Sequence, residues 1–200
     1  MSIEKKFIHA TLNCDFDAVK KYVSDQVDIN CVNDEDKTVL MLACEKGYEE
    51  IVDFLIKAGA DVKYESNWGY TALTASLVDS ESLGNINNQL ITLLIESGVD
   101  VNAKTRKISP LMAACSNGNL EIVKKLILAG AKVNWKTSKL GEFPLLYATY
   151  SGNSELVKLL IENGAKVNWK NRWGNTALKV AKKEGHKIIE KILIDNGSIA

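Results

Sequence analysis

One pattern returns along this chain at intervals of about 33 residues, and it restricts the fold more than any other property. Apolar segments ending in glycine close at Lys63 (FLIKAGADVK), Asn102 (LLIESGVDVN), Asn134 (KLILAGAKVN) and Asn168 (KLLIENGAKVN), and KILIDNGS stands near the C-terminus. Upstream of each lies a second pattern: KTVLMLACEKG, YTALTASLVDS, ISPLMAACSNG, EFPLLYATYSG and NTALKVAKKEG. Thr38 to Thr71 and Phe143 to Thr176 are both 33 residues, Ser109 to Phe143 is 34, and Thr71 to Ser109 is 38. The heptapeptide GAKVNWK occurs twice, at 130–136 and 164–170. Six repeats, approximately 1–30, 31–63, 64–102, 103–134, 135–168 and 169–200, account for the 200 residues. A fixed period of this size is the mark of stacked supersecondary repeats, each unable to bury its apolar face alone.

Each repeat reads as two short helices. The first is dense in apolar residues and carries small ones at Ala43, Ala114, Ala148 and Ala181. The second is amphipathic, with Ile51, Val52, Leu55 and Ile56 on one face. Gly59, Gly98, Gly130, Gly164 and Gly197 fall where a helix ends and positive φ is needed. Pro110 and Pro144, the only prolines, fall in the first turn of a first helix, where the missing N–H costs nothing. The longer spacing after Thr71 reflects six extra residues within 79–88, between the helices of the third repeat, and a following loop one residue short.

These residues resemble the ankyrin repeat, whose signature runs G-x-T-P-L-H-x-A-A-x-x-G-H, then I-V-x-x-L-L, then G-A-D-V-N. GYTALTAS, GNTALKVA, GYEEIVDFLIKAGADVK and GNLEIVKKLILAGAKVN carry the likeness, which extends over the whole chain. The resemblance implies an all-α solenoid of helix-turn-helix repeats with short β-hairpin-like fingers, forming a single domain over 1–200. It also implies a concave face of fingers and first helices that binds partners. The signature histidine is replaced everywhere, by Met41, Thr74, Met112, Leu146 and Lys179, and Phe143 stands in place of the threonine. Threonine–histidine bonding between repeats is therefore expected to be weakened.

Chemistry that would make an enzyme is missing from the sequence. His186 matches the Gly-His position of the family pattern and reads as structural. His9 has no acidic or thiol partner at a useful spacing and reads as a partly buried residue of the first repeat. Cys44 and Cys115 share one repeat position that needs a small buried side chain, and the four cysteines show no paired spacing, as expected of reduced cytoplasmic thiols. No glycine-rich phosphate loop, metal motif or nucleophile elbow is present, so neither catalysis, cofactor nor metal is expected. No apolar run is long enough to span a membrane, and the N-terminus lacks the apolar core of a signal peptide. A cytoplasmic protein, or one delivered into a host cell without such a peptide, is the expectation.

Side-chain chemistry in the fingers points to binding. They read CVNDEDK (31–37), YESNWGY (64–70), AKTRKI (103–108), WKTSKLGE (135–142) and WKNRWGN (169–175), and they hold all four tryptophans. Trp68 and Trp173 precede a finger glycine, near the tip, and are expected to meet a partner. Trp135 and Trp169 occupy equivalent positions, where stacking between fingers and partner contact are both open. The expected binding set is Trp68, Tyr70, Arg106, Trp135, Lys136, Tyr150, Trp169, Lys170, Arg172 and Trp173. The first helices add Ser116, Asn117, Ser151, Lys183 and Glu184 to the groove.

A net charge of zero conceals an imbalance. Residues 1–100 hold 8 Lys and 18 acids, a net of −10, whereas residues 101–200 hold 17 Lys plus Arg and 7 acids, a net of +10. In an extended stack these regions lie further apart than the roughly 8 Å physiological screening length. The partner expected on the basic, tryptophan-bearing half is a protein with an acidic and partly apolar surface. The alternative is nucleic acid or another polyanion, stacking bases on the tryptophans. The acidic half and a sequence pI of about 6.7 disfavour it. Head-to-tail chains, acidic end to basic end, are disfavoured by charge in both terminal repeats, and a monomer is expected.

Overall fold

In the computed structural model the described residues are 1–77, 87–103 and 108–199. Among them are twelve α-helices and no strands. The chain divides into two compact units, Met1–Thr105 and Arg106–Ala200.

The N-terminal unit holds α1 (Ile3–Leu12), α2 (Phe16–Ser24), α3 (Val39–Lys46), α4 (Glu49–Lys57), α5 (Ala72–Leu77) and α6 (Asn88–Glu96). The odd-numbered helices form one layer, with α3 packed between α1 and α5, and α4 lies against α6 in a second. In α3, Val39 to Cys44 are all buried, because a first helix has neighbours on nearly every side. In α4 the buried residues are Ile51, Val52 and Leu55, the single apolar stripe read from the sequence. Of the extra residues at 79–88, those at 79–86 lie outside the described residues; Asn87 caps α6 by accepting the Leu90 N–H at 3.0 Å.

The C-terminal unit repeats the arrangement with α7 (Pro110–Ser116), α8 (Leu120–Leu128), α9 (Pro144–Tyr150), α10 (Ser154–Glu162), α11 (Ala177–Glu184) and α12 (Lys187–Asp195). Helix α9 packs between α7 and α11, and α10 between α8 and α12. Pro110 and Pro144 are the first residues of α7 and α9, as their fixed φ favours.

Hydroxyls start the first helices. Thr38, Ser109 and Thr176 accept the N–H of Met41, Met112 and Lys179 at 3.2, 3.2 and 3.0 Å. Thr71 does the same for Thr74, and the Thr74 hydroxyl answers by accepting the Thr71 N–H at 2.9 Å. Threonine at the signature-histidine position thus adds a reciprocal bond within the third repeat. Phe143 makes no cap bond and is instead buried. His9, expected to be partly covered, is exposed, because α1 buries Phe7, Ile8, Ala10 and Thr11 instead. His186 packs on the preceding repeat so closely that a Cβ at Gly152 would lie 3.0 Å from its Cε1. Cys44 and Cys115 are buried, and burial drives both thiols far above their ordinary range.

Candidate functional site

The four fingers that fall among the described residues, 31–37, 64–70, 135–142 and 169–175, are tight turns built on one plan. Asn33, Ser66, Thr137 and Asn171 each use a side-chain oxygen to accept a backbone N–H from the far side of their own turn, at Lys37, Tyr70, Glu142 and Asn175. Only the first shows a β-bridge, between Val32 and Thr38, among the described residues. Near each tip one residue takes positive φ: Asp36 (61°), Gly69 (77°), Gly141 (67°) and Gly174 (72°). An aspartate therefore stands where the other three fingers have glycine. The residue just before it lies at the tip: Glu35, Trp68, Leu140 and Trp173.

In the N-terminal unit the Asp36 carboxylate joins two fingers, accepting the Tyr64 hydroxyl and the Asn67 N–H, each at 2.6 Å. Those two bonds hold its carboxyl below the ordinary aspartate range, and the Tyr64 phenol correspondingly above its own. Lys37 sits beside them, 2.8 Å from Glu45 and 3.0 Å from Glu35, with its ammonium 5.5 Å from the Tyr70 ring centre. Tyr70 is thus half-buried at the base of its finger, while Trp68 at the tip is 64% exposed.

In the C-terminal unit two fingers are bonded along their length. The Asn134 side chain donates to the Gly164 carbonyl at 2.7 Å and accepts the Lys166 N–H at 2.9 Å. The Lys136 ammonium donates to the Lys170 carbonyl at 3.0 Å. At the tips the Arg172 N–H donates to the Leu140 carbonyl at 2.9 Å, and the Asn171 amide donates to the Glu142 carboxylate at 3.0 Å. The Trp169 indole meets Phe143 edge-on at 5.8 Å and lies under the ammonium groups of Lys136 (4.5 Å) and Lys166 (5.3 Å). At the position equivalent to Phe143 the preceding repeat has Ser109, which offers no ring. The two copies of GAKVNWK therefore have different surroundings.

The expected binding residues fall into three groups. Lys170, Arg172 and Trp173 are exposed on the C-terminal fingers, Trp173 at 59%. Trp135 and Trp169 are half-buried, and Lys136 spends its ammonium on Trp169 and a carbonyl. Tyr150 is 46% exposed at the end of α9, in the row that also exposes Ser116, Asn117, Lys183 and Glu184. Arg106 lies outside the described residues. Burial, then the Glu142 and Glu184 carboxylates, push the Tyr150 hydroxyl up. Leu140, 40% exposed, is a tip residue the sequence reading passed over. Its equivalence to Trp68 and Trp173 was signalled by the glycine that follows it.

Comparison with known proteins agrees with this architecture. A family model for ankyrin repeats, matching in three copies, covers residues 7–105, 80–171 and 111–199. The ankyrin repeat protein YahD of Escherichia coli (strain K12) is 32% identical over 199 residues, 96% of each chain. The fem-1 homolog A-like protein of Mus musculus is 31% identical over 102 residues, 51% of this chain and 15% of that protein. The ankyrin repeat and KH domain-containing protein mask-1 of Caenorhabditis elegans is 33% identical over 100 residues, which is 49% of this chain and 4% of its own length. A crystal structure of an ankyrin repeat domain from Acinetobacter baumannii AYE superimposes with a TM-score of 0.83 at 28% identity, covering 98% of this chain and 100% of that one. The chain belongs to the ankyrin repeat family. Such repeats are generally protein-interaction modules, and the family and fold are typically non-enzymatic. Among the described residues, no helix is long and apolar enough to cross a membrane.

Proposed function

We propose that this chain captures a protein on the face made by its fingers and first helices, without catalysis, and that the C-terminal finger pair is the centre of the contact. The observation that carries this reading is the placement of Leu140 and Trp173 at the tips of two fingers bonded to each other, exposed among Lys139, Lys170 and Arg172. Residues 122–141 and 163–183 contain 11 Lys plus Arg and no acid. A rigid apolar tip among like charges fits a partner surface that is acidic and partly apolar. Aromatic anchors desolvated by a partner supply most of such an affinity, and the surrounding cations speed encounter and reject basic proteins. Tyr150 stands behind as a second anchor, its hydroxyl able both to donate and to accept. The free thiols of Cys14, Cys31, Cys44 and Cys115 fit a reducing compartment, and we place the protein in a cytoplasm.

The test is capture from the native source with two baits, the wild type and Trp173→Ala. The reading expects an acidic protein retained by the first and lost by the second, with both baits melting at the same temperature. Equal capture by both baits contradicts it. Capture of nucleic acid alone, falling steeply with salt, also contradicts it.

A further inference from the structure

The two finger pairs of this chain complement each other. Residues 22–36 hold five acids and no cation, and Glu65 follows on the next finger. Asp34 and Glu35 project there with side chains 94% and 69% exposed. Lys5 reaches Asp34 only at 3.9 Å, and Glu35 shares Lys37 with Glu45, so most of the negative charge remains facing water. Trp68, at the tip of the second of these fingers, is 64% exposed. The C-terminal pair is the inverse: Leu140 and Trp173 rise among Lys139, Lys170 and Arg172. Both pairs are fastened before any partner arrives, one by Asp36 and the other by the Arg172–Leu140 and Asn171–Glu142 bonds. Each therefore meets a partner with little ordering left to do.

We propose that the acidic, partly apolar surface recognised by the C-terminal fingers belongs to a second copy of this chain, which presents its N-terminal fingers. The inference rests on the reading of the C-terminal fingers as a surface for such a protein. Trp68 packs beside Leu140 and Trp173, and Asp34, Glu35 and Glu65 face Lys139, Lys170 and Arg172. Charge in the terminal repeats does not oppose this contact, because it is made by fingers alone. A heterologous contact of this kind leaves each copy with one free finger pair, so it continues from copy to copy unless it closes.

Sedimentation velocity on the purified full chain, across a wide concentration range, tests this. In low salt the mass average rises with concentration, and in half-molar salt it returns to that of a monomer. Two charge-reversed variants, Asp34→Lys/Glu35→Lys and Lys139→Glu/Arg172→Glu, each stay monomeric and melt as the wild type does. Mixed one to one they associate, because each retains the finger pair that the other has lost. Trp68→Ala weakens wild-type association by about tenfold or more. A wild type that stays monomeric in low salt overturns the proposal, as does a mixture of folded variants that fails to associate. A monomeric wild type that still captures a different protein through Trp173 removes this inference alone and leaves the protein-binding reading intact.

Discussion

Trp169 meets Phe143 edge-on across two repeats, with ring centres 5.8 Å apart and planes at 79°. Phe143 replaces the hydroxyl residue that caps the other first helices, so α9 exchanges a cap bond for a buried ring that the next finger covers. Phe143→Ala is expected to cost about 3–5 kcal/mol in denaturant unfolding. Phe143→Thr should be less damaging by about 1 kcal/mol, because it restores the cap. A double-mutant cycle with Trp169→Ala should return a coupling of about 0.5–1.5 kcal/mol beyond area burial. Additive effects would mean that the rings do not interact.

Asp36 makes one finger contact dependent on pH. Its folded carboxyl titrates below the unfolded one, so its contribution is complete above the ordinary aspartate range and disappears as pH falls through the lowered value. Tyr64 is the opposite case: its raised phenol contributes below its ordinary range and stops contributing as pH rises through the raised value. Melting curves of wild type and Asp36→Asn should therefore differ at neutral pH and converge in acid. Asparagine tolerates the positive φ at this position, so the comparison isolates the charge. A difference that persists unchanged in acid would show that the carboxylate does not carry the contact.

Gly152 and Gly118 end equivalent first helices with φ of 70° and 69°. An added Cβ would meet His186 at 3.0 Å in the first case and only Ser151 Cβ at 4.0 Å in the second. Gly118→Ala should show backbone strain of about 1–2 kcal/mol, and Gly152→Ala should cost more. On a His186→Ala background the excess at Gly152 should vanish. If it survives, the histidine is not what makes that glycine necessary.

Leu55 and Leu126 are fully buried in α4 and α8, on the apolar stripe that forms the seam with the helices packed against each. Each Leu→Ala substitution should lower unfolding stability by about 2–5 kcal/mol. A near-neutral result at either site would place it outside the seam.

Helices, the glycines that end them and the prolines that start two of them were readable from sequence because the period aligns six noisy copies of one design. The fingers were less so. Asp36 sits at positive φ in place of glycine, and nothing in NDEDK shows this without the turn geometry. The finger at 135–142 is one residue longer than its neighbour at 169–175, which obscured the equivalence of Leu140 with Trp173. The repeated tryptophan resolves through a difference between repeats: Trp169 finds Phe143, whereas the same position one repeat earlier holds Ser109. The basic residues expected to face a partner divide, Lys136 bonded within the fingers and Lys170 and Arg172 exposed, because bonding between fingers cannot be seen in charge alone.

The exposed tip of the C-terminal fingers is the centre of the proposed contact. Its most direct test measures, for Trp173→Ala and wild type together, the thermal midpoint and the affinity for whichever protein the wild type binds, a second copy included. The expected result is an unchanged midpoint and binding weaker by about 2 kcal/mol or more. A variant that unfolds as easily as a core deletion, yet binds as tightly as the wild type, would make Trp173 a packing residue and contradict the account.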